Sequence, residues 1–152
     1  MLVDREEVLN FIPQRDPIVV VHGLISHAEE SSTSTFTVGE DHLFSREGKL
    51  LEAGLIENIA QTVALRTGYG HSLRVVSGPA TRPPIGFIAS VKKFTVHRLP
   101  TVGQVLETTV SMLHDVMEML VVRGTVSVAG ELMAECEMIV SPGEGTNDGK
   151  HG

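Results

Sequence analysis

The chain has 152 residues, 41% of them apolar, and a formal net charge of −7, which is enough apolar material for a single domain with one sizeable core. The acidic balance and the scarcity of aromatics (no Trp, one Tyr, five Phe) exclude the basic face and the stacking platforms of a general nucleic-acid binder. No stretch approaches the ~18 apolar residues of a membrane span, the opening MLVDREEVLN is too acidic for a secretory leader, and the lone Cys136 excludes an intrachain disulfide and leads us to expect a cytoplasmic protein.

The first element expected is a short amphipathic helix over DREEVLNF, with Asp4 as its cap and acidic residues in its first turn. Pro13 and Pro17 end it and lead into IVVVHGLIS, a β-branched run typical of a buried strand. In STSTFTV, Phe36 and Val38 alternate with Thr35 and Thr37, which predicts a second strand with one apolar face. A polar loop, HLFSREGK, precedes a long apolar helix from Leu50 to Arg66, and Gly68 and Gly70 mark its expected end before the Pro-containing loop SGPATRPP.

The second half is strand after strand: GFIASVKKFTVHRL, QVLETTVSML, MLVVRGTVSV and LMAECEMIV, a pattern that suits an antiparallel meander. Leu120, Val122, Val126 and Val128 alternate with Arg123, Thr125 and Ser127, and Leu132, Ala134, Cys136, Met138 and Val140 are expected to share one face. Cys136 there is a packing residue, not a nucleophile. The fold class is α+β, a long central helix wrapped by a curved antiparallel sheet of about six strands. Residues 1–141 form the single domain, and the Gly-rich residues 142–152 are expected to be a flexible tail.

The middle of the helix is unusual. Glu57 and Gln61 stand four residues apart, one above the other, bordered by Asn58 and flanked by Ala53, Gly54, Ala60 and Ala64. Leu51, Leu55, Ile56, Ile59 and Val63 form the large-apolar face for the sheet. The small, polar face is either exposed to solvent or the floor of a narrow site. Exposed faces favour Lys, Arg and Glu over Ala, Gly and amides, and small residues let a ligand or a second subunit approach the backbone. A carboxylate buried there would have its pKa raised towards the range useful to a general acid.

FIPQRDPIVVVHGLI, the threonine-rich strand, LLEAGLIENIAQTVALRTGY and RPPIGFIASVKKFTVHRLPTVGQVLETTV together resemble the 3-hydroxyacyl-acyl-carrier-protein dehydratases of the hotdog fold. The resemblance runs over residues 10–141, with IENIAQT its most specific piece, and leans towards the branch associated with aryl-polyene and polyketide-like pigments. It implies a dimer with acyl tunnels at the interface, and water loss from a 3-hydroxyacyl thioester held on acyl carrier protein or coenzyme A. It also implies that Glu57 is the acid that handles the departing hydroxyl, and that Gly54, Asn58 and Gln61 line the substrate. The family's Gly-His-Phe-Pro run is missing. At the family's spacing from the acid this chain has Leu43, with His42 one step before it. Three readings follow: His42 is a displaced base; a related hotdog subunit supplies the histidine in a heterodimer in place of a homodimer; or the chain binds acyl groups without dehydrating them. A hotdog thioesterase is a further alternative. His22, His27, His71, His97, His114 and His151 make no metal-ligand spacing, so neither metal nor other cofactor is expected. Arg82, Lys92, Lys93 and Arg98 form the one cluster suited to docking an acidic carrier.

Overall fold

The computed structural model describes residues 1–74, 87–116 and 119–141. In chain order it comprises a short 3-10 turn (Val8–Asn10), β1 (Gly23–His27), β2 (Ser31–Thr37), β3 (Ser45–Arg46), β4 (Lys49–Leu50), α1 (Glu52–Arg74), β5 (Phe87–Val96), β6 (Val105–Val116), β7 (Met119–Val128) and β8 (Glu131–Ser141). Six strands form one sheet in the order β1-β2-β6-β7-β8-β5, while β3 and β4 make a separate two-stranded hairpin. All neighbours run antiparallel. The expected meander holds for β6-β7-β8, but β5 pairs with β8 at the far edge and does not join it.

Alternation decides the sheet's inner face. Ser32, Ser34, Phe36 and Val38 point inward from β2 and its end, and Val122, Val126 and Val128 do so from β7. On β8 the alternation holds from Ala134 to Val140, but Leu132 does not join it. Val126 pairs with Ala134 while Ser127 pairs with Leu132, so Met133 is an extra residue, and this bulge puts Met133 in the core and leaves Leu132 36% exposed.

Helix α1 packs Leu55, Ile59 and Val63 onto this face. Gly124 of β7 lets the helix in: a Cβ there would lie 2.5 Å from Cγ2 of Ile59. The helix does not stop at Gly68 or Gly70 but continues to Arg74. Neither glycine caps it. Gly68 serves close packing, since a Cβ there would sit 2.1 Å from the Phe11 carbonyl oxygen, whereas a Cβ on Gly70 would make only ordinary contact with the His27 ring at 3.6 Å. His71 and Arg74 in the last turn complement the helix dipole. The expected SGPATRPP loop and the tail at 142–152 lie outside the described residues.

A second apolar cluster covers the other side of the helix. Val3, Val8, Ile12, Val19, Val21 and Leu24 from the N-terminal segment surround Leu65, with Phe11, Ala64 and Tyr69 at its margin. The helix is therefore enclosed from two sides, by the sheet and by residues 1–24. The expected helix over DREEVLNF contracts to turns and the single 3-10 element, with Val8 as its buried residue. The β3–β4 hairpin lies where the sequence predicts a polar loop; its Glu47 and Gly48 both have positive φ (53° and 80°), the pair that a tight two-residue hairpin turn requires. It packs on the β5–β6 connection, Leu50 donating to the Pro100 carbonyl and Val102 to that of Gly48.

Candidate functional site

The run IVVV explains the polar middle of the helix. Val19, Val20 and Val21 are buried, yet the extended segment they form begins before β1 and joins no ladder along 18–21. Buried backbone groups need partners, and the helix supplies them. The Val20 N–H donates to Oε1 of Gln61 at 2.7 Å, and Nδ2 of Asn58 donates to the Val20 carbonyl at 2.8 Å. Nε2 of Gln61 donates to the Ile18 carbonyl at 3.0 Å. The two amides thus take the place of a neighbouring strand. They are neither solvent-facing nor open to a ligand: both are fully buried.

A polar network continues from them into the sheet. Thr108 donates to Oδ1 of Asn58 at 2.6 Å, Thr62 donates to the Asn58 carbonyl at 2.7 Å, and Ser34 meets Thr62 at 2.7 Å. Ser34, Asn58, Thr62 and Thr108 are all fully buried and all bonded, so the network costs little desolvation and specifies one register of helix on sheet.

Glu57 stands at the edge of this network, half-buried, its Oε2 accepting from Nε2 of Gln61 at 2.9 Å. Because the Val20 N–H fixes which end of the Gln61 amide is oxygen, the amide hydrogens are presented to Glu57 and Ile18. Gly54 is buried, and its missing side chain is filled from the hairpin: a Cβ would meet Cδ1 of Leu50 at 2.7 Å and Cβ of Phe44 at 2.8 Å.

His42 reaches the same segment from the opposite side. Its Nε2 bonds the Val19 carbonyl at 2.8 Å, and its Nδ1 accepts the Phe44 N–H at 3.1 Å. Nδ1 as acceptor makes Nε2 the protonated nitrogen, so both ring nitrogens are committed to main chain. Glu57, Asn58 and Gln61 are thus brought together, while the strap 18–20 stands between the helix amides and His42.

His22, within the run IVVVHGLIS that the sequence predicts as a strand, lies next to His42. A cavity of about 330 Å³ is lined by Arg5, His22, Phe36, Thr37, Val38, Gly39, Asp41 and His42. The His22 ring lies 4.6 Å from that of Phe36, and His42 meets the same Phe36 edge-on at 5.6 Å. Burial, aided by Arg5 and His42 and opposed by Asp16, lowers the His22 pKa from 6.5 to about 4. The only sequence signal for this pairing was the alternation that puts Phe36 on the inner face; the separation of His22 from His42 hid the rest.

Two further histidines hold local structure: His27 bonds Ser32 and meets Tyr69 edge-on, and His97 bonds Glu135 at 3.1 Å. Lys93 pairs with Glu137 and Arg98 with Glu131, which neutralises part of the basic cluster; Arg82 lies outside the described residues. Among the described residues no group of three or more His, Cys, Asp or Glu is arranged to hold a metal, and no helix is long and apolar enough to cross a membrane.

Comparison with known proteins agrees with this architecture. The family model described as ApeP-like, ApeP dehydratase, matches residues 6–148. No curated protein matches significantly. Among solved structures, the dehydratase heterocomplex ApeI:P from Xenorhabdus doucetiae superposes with a TM-score of 0.79 at 19% identity, covering 91% of this chain and 92% of the other. The E. coli PaaI protein from the phenylacetic acid degradation operon gives 0.61 at 13% identity, over 78% and 80% of the two chains. A hypothetical thioesterase from Streptococcus pneumoniae TIGR4, solved with coenzyme A, gives 0.61 at 12% identity, over 79% and 84%. At these identities the structural likeness shows the hotdog fold: one long helix packed against a six-stranded antiparallel sheet.

Proposed function

As the chain belongs to the ApeP-like family of dehydratases, we propose that it is one subunit of a hotdog dehydratase acting on 3-hydroxyacyl thioesters of acyl carrier protein. The observation that carries this reading is the presentation of Glu57. It is a half-buried carboxyl group next to two fully buried amides, held by one of them, which is itself locked at both ends. In the reaction a base removes the proton from C2, Glu57 as general acid passes a proton to the departing C3 hydroxyl, and the C2–C3 double bond forms as water leaves. Gly54, Asn58 and Gln61 support the site from behind the acid.

We assign the base to a histidine of a related hotdog subunit. Both ring nitrogens of His42 are bound to main chain, and taking up a proton at Nδ1 would break the bond to Phe44. The likeness to a dehydratase heterocomplex supports such a partner. So does the free edge of the sheet: β5 pairs only with β8 among the described strands, and an unpaired edge is best protected by a second subunit. On this reading the chain is soluble, cytoplasmic and free of cofactors.

The test is an assay of the chain, alone and mixed with a co-encoded hotdog subunit, on a 3-hydroxyacyl carrier-protein thioester. Enoyl product is expected from the mixture. Glu57→Gln should lower that rate by ~10²-fold or more, the scale of a lost general acid, without changing the thermal midpoint of the subunit by more than a few degrees. Absence of water loss in every mixture refutes the proposal, and release of free carboxylic acid with free carrier thiol would make the protein a thioesterase. Turnover by the chain alone, abolished in His42→Ala, would return the base to His42.

A further inference from the structure

The cavity beside β2 has a chemistry of its own, and Glu57 is not among its lining residues. Its hydrogen-bonding capacity is lopsided. The Thr37 N–H donates to Nδ1 of His22 at 3.1 Å, which makes Nε2 the protonated nitrogen. That N–H has no protein acceptor among the described residues, although the ring is partly buried against Phe36. Arg5, on the same lining, makes no hydrogen bond or ion pair among the described residues. Two donor side chains on one lining therefore have no acceptor among the described residues. Phe36 and Val38 supply an apolar wall, and Asp41 places one carboxylate on the lining.

We propose that this cavity binds a small monocarboxylate, its oxygens held by the guanidinium of Arg5 and the Nε2–H of His22 and its short apolar chain resting on Phe36 and Val38. Arg5 offers the fork geometry that a carboxylate matches. His22 donates as a neutral imidazole, and so holds an oxygen without adding a charge that Arg5 would repel. Its lowered pKa keeps it neutral throughout the physiological range. Asp41, a carboxylate on the same lining, disfavours a doubly charged ligand such as phosphate more than a monoanion. The volume of about 330 Å³ is at the lower end for ligand cavities and suits a molecule of a few carbons.

Isothermal titration calorimetry of the full chain with sodium butyrate at pH 7 tests the proposal. Saturable binding in the millimolar range is expected. Arg5→Gln removes an exposed side chain that makes no hydrogen bond among the described residues, so the fold is retained, and it should weaken binding by about tenfold, the size of one lost charged hydrogen bond. His22→Phe keeps the ring contact with Phe36 and should weaken binding as well, with circular dichroism confirming a folded chain. In ¹⁵N spectra of the unsubstituted protein the His22 Nε2 signal should move on titration. No saturable binding, equal affinity for inorganic phosphate or butan-1-ol, or binding unchanged in Arg5→Gln would each overturn the proposal. Glu57→Gln should bind butyrate as the unsubstituted chain does, so failure here is separable from failure of the dehydratase reading.

Discussion

Replacing Gln61 by methionine keeps the length and most of the volume of the side chain but removes every hydrogen bond it makes. The Val20 N–H loses its acceptor at 2.7 Å, and the Ile18 carbonyl and Glu57 carboxylate lose a donor at 3.0 and 2.9 Å. Val20 is fully buried, so its N–H is left without water or partner, at a cost of about 1–3 kcal/mol. The other two acceptors are partly accessible and regain water, adding about 1 kcal/mol between them. The sum is roughly 2–4 kcal/mol, which for a chain of this size lowers the melting temperature by about 4–16 °C. Urea unfolding followed by circular dichroism measures it, with an unchanged m-value showing that only stability has moved. Gln61→Glu probes the same bond by charge. Its carboxylate would face Glu57 and the Ile18 carbonyl, and sharing a proton would raise the pKa of the pair. A raised pKa gives stability that is present at low pH and lost as pH rises, so this variant should be relatively more stable at pH 5 than at pH 8. A loss below about 0.5 kcal/mol for Gln61→Met, or no pH dependence for Gln61→Glu, would refute the idea that the helix amides replace a strand.

Three other outcomes follow from particular contacts. Gly68→Ala should destabilise by about 1–3 kcal/mol even though alanine is the better helix former, because its Cβ meets the Phe11 carbonyl at 2.1 Å; a more stable variant in thermal unfolding would contradict this packing. His22 is held neutral down to a pKa of about 4, from 6.5, so the unfolded chain takes up a proton first and stability should fall as pH drops from about 6.5 towards 4. His27, lowered in the same direction by burial, then Arg66 and Arg74, adds to the fall below 6.5, and His22→Phe should show a shallower fall than the unsubstituted protein in denaturation at pH 7 and pH 5. Burial, with a smaller effect of Glu137, pushes the Cys136 thiol up to about 11, so the native protein at pH 8 should react with a thiol reagent many times more slowly than the urea-unfolded chain; equal rates would place Cys136 at the surface.

Periodicity alone specified the helix core, the outward Arg123 and Ser127, and the inward Val122, Val126, Ala134, Cys136 and Met138, because burial of one face imposes a period that composition records. The turn signal in Glu47-Gly48 was present in the sequence and weaker than Asn-Gly, which is why the β3–β4 hairpin passed for loop. The family resemblance reached Glu57 and Gln61 for the same local reason: an acid and an amide four apart on one helix are neighbours in any fold. What lay beyond local pattern was the use of each residue. Gly68 and Gly70 carried the composition of a helix end, yet the helix runs past both, and the purpose of Gly68 is set by Phe11, far away in the chain. The polar face of the helix could be assigned to solvent or to a site only until its partner was known. That partner is the backbone of Val20, whose need for a donor and an acceptor exists only when residues 18–21 are laid against the helix. Tertiary structure likewise decided that His42 is tied down and that the His22 Nε2–H finds no acceptor among the described residues, since a hydrogen bond's second atom is a matter of where the chain returns in space.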